Sequence, residues 1–401
     1  MRSIQRQRPL YLSLYSLIAT ATARSSTFSA TAFILHPSNA GGKRLIHTRT
    51  STISKSSADA TTTSLSPRVM ETLDPCVIFM KDLVSRYSHL WDQKGGVFSL
   101  AQGVVYWEPP SSCQQALIEE FSRPGNLLHT YGPAQGIPQL TEALTDKISQ
   151  ENGLNNHNVM VTVGANQAYM NCVLTFLCDE SKAIVFAPYY FNHVMALQMC
   201  CGDKSVVVGP CSDQGVPDLK WLEETLQKES IDMVTIVNPG NPTGVSLSRE
   251  TLQGAVDLCR KYSAWLVLDC TYEYFTKEED QPVATFPKDS HVIHIFSFSK
   301  SYSLAGYRCG YLVMSKEKEN VLQNMLKVQD TLPIGPPRVS QIAALGALQA
   351  GNQWVRDQYA TLDESRKMIL NSLDPLPIMG GSGAMVSFME SICIECVRYD
   401  D

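Results

Sequence analysis

The segment Ile295-Phe-Ser-Phe-Ser-Lys300-Ser-Tyr-Ser-Leu-Ala-Gly-Tyr-Arg308-Cys-Gly-Tyr runs an apolar strand out into a lysine and sets an arginine eight residues later. An ammonium at the end of a buried strand is costly to desolvate unless it is chemically occupied. A Schiff base to an aldehyde cofactor is one such occupation, because it removes both the charge and the penalty. Ser297, Ser299 and Arg308 would then offer a phosphate two hydroxyl donors and a permanently charged planar fork.

Three further segments suit the same ligand. Val163-Gly164-Ala-Asn-Gln-Ala168 joins a strand pattern to a helix pattern, and the unpaired amides of that first helical turn favour an anion by about 0.3–1 kcal/mol. Asn238-Pro-Gly-Asn241-Pro-Thr-Gly244 holds two Asn-Pro steps, which continue neither helix nor strand and make a rigid turn presenting asparagines. Asp269-Cys-Thr-Tyr272-Glu-Tyr-Phe275 ends a strand in a carboxylate, with a phenol three residues on. A buried carboxylate stays ionised when it faces a pyridinium, and a protonated ring nitrogen makes such a cofactor an electron sink. Pro188-Tyr-Tyr190-Phe-Asn-His193 ends another strand with aromatics, one of which could stack on a planar ring.

The elements that position these groups follow from hydrophobic pattern. Short apolar strands are expected at Val159–Val163, Ala183–Ala187, Ser205–Val208, Met233–Val237, Trp265–Asp269 and Val292–Ser297, with an earlier one at Val97–Gly103. Helices are expected at Met70–Arg86, Pro109–Phe121, Ile137–Glu151, Ala165–Leu177, Pro217–Lys228 and Ser248–Tyr262. Apolar strands alternating with helices imply a mostly parallel sheet covered on both faces, with ligands outside the carboxyl ends of its strands. Each strand ends in polar or glycine-rich chemistry there, so a single shared site is expected.

The bulk composition bounds the rest. With 401 residues, 44% of them hydrophobic, the chain is long enough for a large α/β domain plus a smaller one. Net charge is −6, yet the first 67 residues hold eight Lys or Arg against one acid, which leaves about −13 on the body. An acidic body argues against nucleic-acid or anionic-membrane partners. Residues 1–66, rich in Arg, Ser, Thr and Ala, read as an irregular transit peptide for an organelle, plastid or mitochondrion. Within them Leu10–Ala23 resembles a short apolar signal core, and Ala30-Thr-Ala-Phe33 the cleavage motif of two-part plastid signals. The cysteines, among them Cys172, Cys178 and Cys259, read as small core residues of a reduced protein. Cys393-Ile-Glu-Cys396 lacks a second pair or nearby histidine, so no metal is expected.

In this order and spacing the motifs resemble the fold type I pyridoxal-phosphate aminotransferases of class I/II, over about Ser99 to Met389. Within them the likeness is to plant-type aromatic aminotransferases. It rests on Ser99-Leu-Ala-Gln-Gly-Val-Val-Tyr-Trp-Glu-Pro-Pro110, Tyr189-Tyr-Phe-Asn192, Thr271-Tyr-Glu-Tyr-Phe275, Phe296-Ser-Phe-Ser-Lys300 and Lys327-Val-Gln-Asp330. Behind the disordered transit peptide (1–66) that composition suggests, the resemblance implies an aspartate-aminotransferase-like fold: an N-terminal arm with part of a small domain (67–108), a large cofactor domain (109–335) and an incomplete small domain (336–401). It implies that Lys300 bonds the pyridoxal 5'-phosphate and moves the proton, Asp269 pairs with the ring nitrogen, and Asn241 and Tyr272 hold the ring oxygen. Tyr190 would stack on the ring, and Ala165, Asn166, Ser297, Ser299 and Arg308 would hold the phosphate. Tyr131 would reach the phosphate of a second copy, implying a homodimer. Gly103 would lie against substrate, with Tyr106 and Trp107 as wall residues.

Gly380-Gly-Ser-Gly-Ala-Met385 follows the family pattern, whereas Val386 to Asp401 departs from it. No arginine there matches the one that pairs with the substrate carboxylate, and Arg398 stands in the wrong context, so a truncated small domain is expected. The expected reaction is amino-group exchange between an amino acid, aromatic or methionine, and a 2-oxo acid. β-Lyases and decarboxylases share these cofactor residues. A cofactor-binding or dimer-partner protein without turnover is the alternative from another class. A nicotinamide cofactor is not expected, since G-x-G-x-x-G follows no strand.

Overall fold

The computed structural model describes residues 19–24, 27–34, 47–52, 65–75, 103–125, 127–276, 286–373, 378–379 and 393–394, with isolated residues between 78 and 89. The chain divides into two units, Met1–Thr63 with Asp74–Gly103, and Ser64–Leu73 with Val104–Asp401.

In the first unit β1 (Ala19–Arg24), β2 (Thr27–Ile34) and β3 (His47–Thr52) form an antiparallel sheet in that order, with Thr20 opposite Thr31 and Ala32 opposite Arg49. This corrects the expectation of an irregular segment. The threonines that made it look like a targeting sequence are β-branched and favour strands. The strand expected at Val97–Gly103 lies outside the described residues except for Gly103, which is irregular.

The second unit is built on a seven-stranded sheet. Its strands are β4 (His157–Thr162), β5 (Ala183–Ala187), β6 (Val206–Pro210), β7 (Met233–Val237), β8 (Trp265–Asp269), β9 (Val292–Ser297) and β10 (Gly310–Ser315), in the order β4-β10-β9-β8-β7-β5-β6. All neighbours are parallel except that β10 runs against both β4 and β9. β10 was not expected. Parallel strands need a crossover of a dozen or more residues, commonly a helix, and the segment from Phe298 to Cys309 supplies no α-helix. The chain therefore turns back on itself, and the Lys300 segment is that turn.

The strands are apolar along their whole length because both faces are covered. Val159, Val161, Ile184, Phe186, Val234, Ile236, Leu266, Leu268, Phe296, Tyr311 and Val313 enter one core. The alternate residues Met160, Val185, Met233, Val267, Ile293, Ile295, Leu312 and Met314 enter the other. The covering helices are α2 (Ser111–Ser122), α3 (Pro138–Asn152), α4 (Gly164–Phe176), α5 (Phe191–Cys201), α6 (Leu219–Lys228), α7 (Arg249–Lys261), α8 (Glu319–Thr331) and α9 (Arg338–Gln349), followed by α10 (Gly351–Ala360) and α11 (Leu362–Leu373). Asp218 and Ser248 cap α6 and α7 through their side chains, as N-cap residues of those types do.

Two further expectations change. The expected entry helix is interrupted rather than continuous: α1 is Pro67–Glu71 and stops ahead of Pro75, which disfavours helix in the residue before it, while Ile78, Asp82, Ser85 and Arg86, described singly, are again helical. Arg68 instead fastens this segment down, donating to the Cys200 carbonyl (2.6 Å) and pairing with Asp179 (2.6 Å). Cys178 is exposed rather than core, because α4 ends two residues before it. At the far end Ile378–Met379 pairs with Cys393–Ile394, while Gly380–Met385, Arg398 and Cys396 lie outside the described residues. No helix among the described residues is long and apolar enough to cross a membrane.

Candidate active site

The register brings the sequence motifs to one end of the sheet. Gly310 stands opposite both Thr162 and Ser297, so the turn after β4, the Arg308 turn and the Ser297–Lys300 segment adjoin. The end of β8 is held to its neighbours by Cys270 N–H to Ile295 O (2.7 Å) and Asn238 N–H to Asp269 O (2.9 Å). The sheet order thus lines up one side of the site on β4, β10 and β9 and a second side on β8, β7 and β5.

On the first side Gly164 opens α4 with a left-handed φ of 79°. A Cβ there would collide with the Arg308 guanidinium, so glycine is what allows the arginine to lie over the helix terminus. Arg308 is itself left-handed (φ 54°, ψ 59°), as is Ser303 (φ 57°), a conformation that costs a non-glycine residue about 1–3 kcal/mol and is concentrated at functional turns. Arg308 is exposed, with Nη1 donating to the Ala305 carbonyl at 2.9 Å. Ser297 and Ser299 are buried, and the Ser299 amide donates to the Ser297 hydroxyl at 3.1 Å. Ala165 is half-buried and Asn166 exposed, both in the first turn of α4; Lys300 is half-buried in the turn after β9.

On the second side Asp269 is 6% exposed. One oxygen accepts from the Thr271 amide (3.0 Å) and hydroxyl (2.7 Å), and the other lies 3.1 Å from His193 Nε2. Burial pushes this carboxyl up, but the bonds from His193 and Thr271 outweigh it and hold it below the usual range. His193 is fixed by the Tyr169 ring (centroids 4.0 Å apart), whose hydroxyl is 3.0 Å from that of Thr235. Tyr190 meets His193 edge-on at 5.2 Å and its hydroxyl accepts from Asn192 at 3.0 Å. The Asn-Pro turn divides its labour: Asn238 accepts from the Leu247 amide (2.8 Å) and shapes the loop, while Asn241, buried, donates to the Tyr272 hydroxyl (3.1 Å).

Sequence reasoning had given His193 and Thr271 no role. No spacing in the sequence ties them to Asp269: His193 stands in the first turn of α5, three residues after its extended N-cap Tyr190, and only the fold brings it to the end of β8. Tyr131 is 81% exposed, its carbonyl accepting from Arg338 Nη2 at 3.1 Å. Trp107 is buried and stacks on Phe275 (6.2 Å), whereas Tyr106 is exposed with its hydroxyl on Thr361 (2.6 Å). Gly103 is the last residue of the first unit, and the groups described here all belong to the second. Among the described residues no cluster of His, Cys, Asp or Glu suits a metal.

A planar ring bearing one phosphate and one basic nitrogen fits this arrangement. The glycine–arginine turn offers an anion a cationic cup, and the buried Asp269, held ionised, suits a cationic nitrogen.

The comparisons agree with this chemistry. The family model for aminotransferase class I and II matches residues 96–391. The chain is 40% identical over 294 residues to an aromatic aminotransferase (ISS1) of Arabidopsis thaliana, covering 72% of this chain and 73% of that one. It is 28% identical over 278 residues to an aspartate aminotransferase of Thermotoga maritima, covering 68% and 71%. A crystal structure of aspartate aminotransferase from Thermotoga maritima superposes with a TM-score of 0.70 over 80% of this chain and 84% of that one at 24% identity, which establishes the fold. The seven-stranded sheet, the motifs at its carboxyl edge and these likenesses together place the chain in the class I and II aminotransferases.

Proposed function

We propose that this aminotransferase uses pyridoxal 5'-phosphate to exchange the amino group of an aromatic amino acid or methionine with a 2-oxo acid. The observation that carries the cofactor is the buried, ionised Asp269 at the end of β8, on the same sheet edge as the Lys300 turn and the Gly164–Arg308 cup. The donor class rests on the 40% identity to an aromatic aminotransferase.

When bound, the cofactor supplies an electron sink for the carbanion left by removing the substrate's α-proton. The protein's part is positional and electrostatic. Ala165 and Asn166 at the start of α4, with Ser297, Ser299 and Arg308, bind the phosphate and set the depth of the ring. Asp269, kept ionised by His193 and Thr271, holds a proton on the ring nitrogen. Asn241 and Tyr272 orient the ring through its phenolic oxygen, and Tyr190 covers one face. Lys300, in the turn after β9, would hold the cofactor through its aldehyde group and would be the base that takes the substrate's α-proton.

Tyr131 completes the phosphate site of a second copy. Its exposure, the exposed Leu127 and Ile334 nearby, and the packing of Gly335 on Gly132 and Pro133 support an apolar homodimer face. The basic first 66 residues support delivery to a plastid or mitochondrion, which a fluorescent fusion of that segment would test.

The deciding experiment is a single-turnover spectrum of the purified chain loaded with pyridoxal phosphate, before and after phenylalanine, tryptophan or methionine, without oxo acid. Conversion to the pyridoxamine form, abolished in Lys300→Ala, is the expected result. A cofactor that binds yet ignores every amino acid would instead make the chain a cofactor-binding protein.

A further inference from the structure

The Lys327-Val-Gln-Asp330 motif contains one residue that no step above uses. Gln329, on α8, is fully buried, and its amide makes the four hydrogen bonds such a group can make. Nε2 donates to the carbonyls of Ala134 (3.1 Å) and Val161 (2.7 Å). Oε1 accepts from Gln167 Nε2 (2.6 Å) and Asn171 Nδ2 (2.8 Å). Gln167 lies in the first turn of α4, and its own oxygen accepts from the Val163 amide, next to Gly164. A continuous chain of bonds therefore runs from the anion-binding turn through Gln167 and Gln329 to Ala134.

Ala134 belongs to the loop that presents Tyr131. That loop is pressed on the edge strand β4: Val161 N–H donates to Gln135 O (2.8 Å), and Gln135 Nε2 donates to Val159 O (2.8 Å). Gly136, at φ 121°, sits where a Cβ would strike the Val161 side chain. A second amide, Gln341, accepts from the Ile137 amide at the end of the same loop (2.7 Å) and donates to the Pro336 carbonyl just ahead of α9 (2.8 Å), neither bond reaching α4.

We propose that Gln329 is a positioning residue that couples the anion-binding turn at Gly164 to the exposed Tyr131 loop, so that filling the first stiffens the second. This rests on the cofactor reading above, because it takes the anion to be the cofactor's phosphate. Removing a node of buried bonds leaves several polar groups unpaired, and a fully satisfied buried network is rigid and worth more than the sum of its pairs.

Hydrogen exchange over residues 130–137, with and without saturating pyridoxal phosphate, tests the coupling. In the unaltered chain ligand slows exchange there at least tenfold. In Gln329→Met, and in Gln167→Met should the first variant fold poorly, that protection disappears and the dissociation constant rises about tenfold. In Gln341→Met the loop exchanges faster throughout, yet ligand still protects it. In Tyr131→Phe, which lacks the hydroxyl assigned to a neighbouring copy, protection persists. Equal protection in both Gln329→Met and Gln167→Met, its loss in Gln341→Met or Tyr131→Phe, or a cofactor that binds without protecting would each overturn the coupling. A chain that binds inorganic phosphate but not pyridoxal phosphate would sink the cofactor reading and leave the coupling to be read with phosphate. One that binds neither would sink both.

Discussion

The residue with most to reveal is His193. Its Nε2 stands 3.1 Å from the Asp269 carboxylate in a site where both side chains are almost fully buried. A hydrogen bond to a charged group there contributes about 1.5–3 kcal/mol. Deleting it raises the proton affinity of Asp269 and weakens its hold on a protonated ring nitrogen. His193→Phe is therefore expected to lower kcat about ten- to a hundredfold with a smaller change in KM, and His193→Gln, which keeps an N–H donor, to recover part of the loss. Steady-state kinetics with phenylalanine decides the matter; unchanged kcat in His193→Phe would show that Thr271 alone keeps Asp269 ionised. The carboxylate was legible in the sequence because a charged residue closing an apolar strand is conspicuous. Its histidine was not, because a histidine among aromatics is more often core than partner, and only the fold brings α5 over the end of β8.

At the scale of elements, the turn from Cys270 to Phe275 carries both Asp269's neighbours and Tyr272, and a buried ion pair fixes it to α3. Lys147 Nζ donates to both oxygens of Glu273 (2.6 Å each) and to Asn152 (3.1 Å), and lies 4.8 Å from the Phe296 ring centroid. Burial pushes the Glu273 carboxyl up, even with Lys147 beside it. Removing the cation alone strands a buried carboxylate, at a cost of about 3–5 kcal/mol, whereas replacing both partners by apolar groups can be close to neutral. Urea denaturation is expected to show Lys147→Met destabilised by about that amount and Lys147→Met/Glu273→Leu restored to within about 1–2 kcal/mol of the original. A double variant no better than the single one would assign the loss to packing around the aromatic rings. Nothing in the sequence pairs a lysine at 147 with a glutamate at 273. Strand boundaries were far more legible: β5, β7, β8 and β9 begin and end where the apolar runs do, because full burial on two faces leaves no other way to read them. β10 escaped for lack of a crossover helix to announce it.

For the whole molecule the two cores must be kept intact against acid, and one of them contains a titratable pair. His157 opens β4 and His294 lies within β9, on the sheet face shared with Val159 and Phe296, their ring centroids 6.4 Å apart. Burial, with Lys288 and Lys316 adding repulsion, brings His157 down to about 4; burial, with His157 adding to it, brings His294 down to about 3. Both are held neutral in the fold, while in the unfolded chain each takes up a proton near its ordinary value of about 6.5. The stability they permit is thus fully present above that value and is lost as pH falls from about 6.5 toward the folded values. Two groups protonated in the unfolded state alone give a slope of about 2.7 kcal/mol per pH unit below pH 6, and one gives half of that. Asp269 and Asp289, whose carboxyls are held below their usual range, lose their contribution at lower pH still. Glu273, pushed up, contributes in the opposite sense, but equally in any variant that leaves it alone. Equilibrium urea unfolding between pH 7 and pH 4.5, compared for the unaltered chain and His294→Leu, is therefore expected to give curves that converge as pH falls, with the variant losing about 1.4 kcal/mol less per pH unit. Parallel curves would mean that His294 is already protonated in the native core, and that the sheet face it shares with His157 admits water.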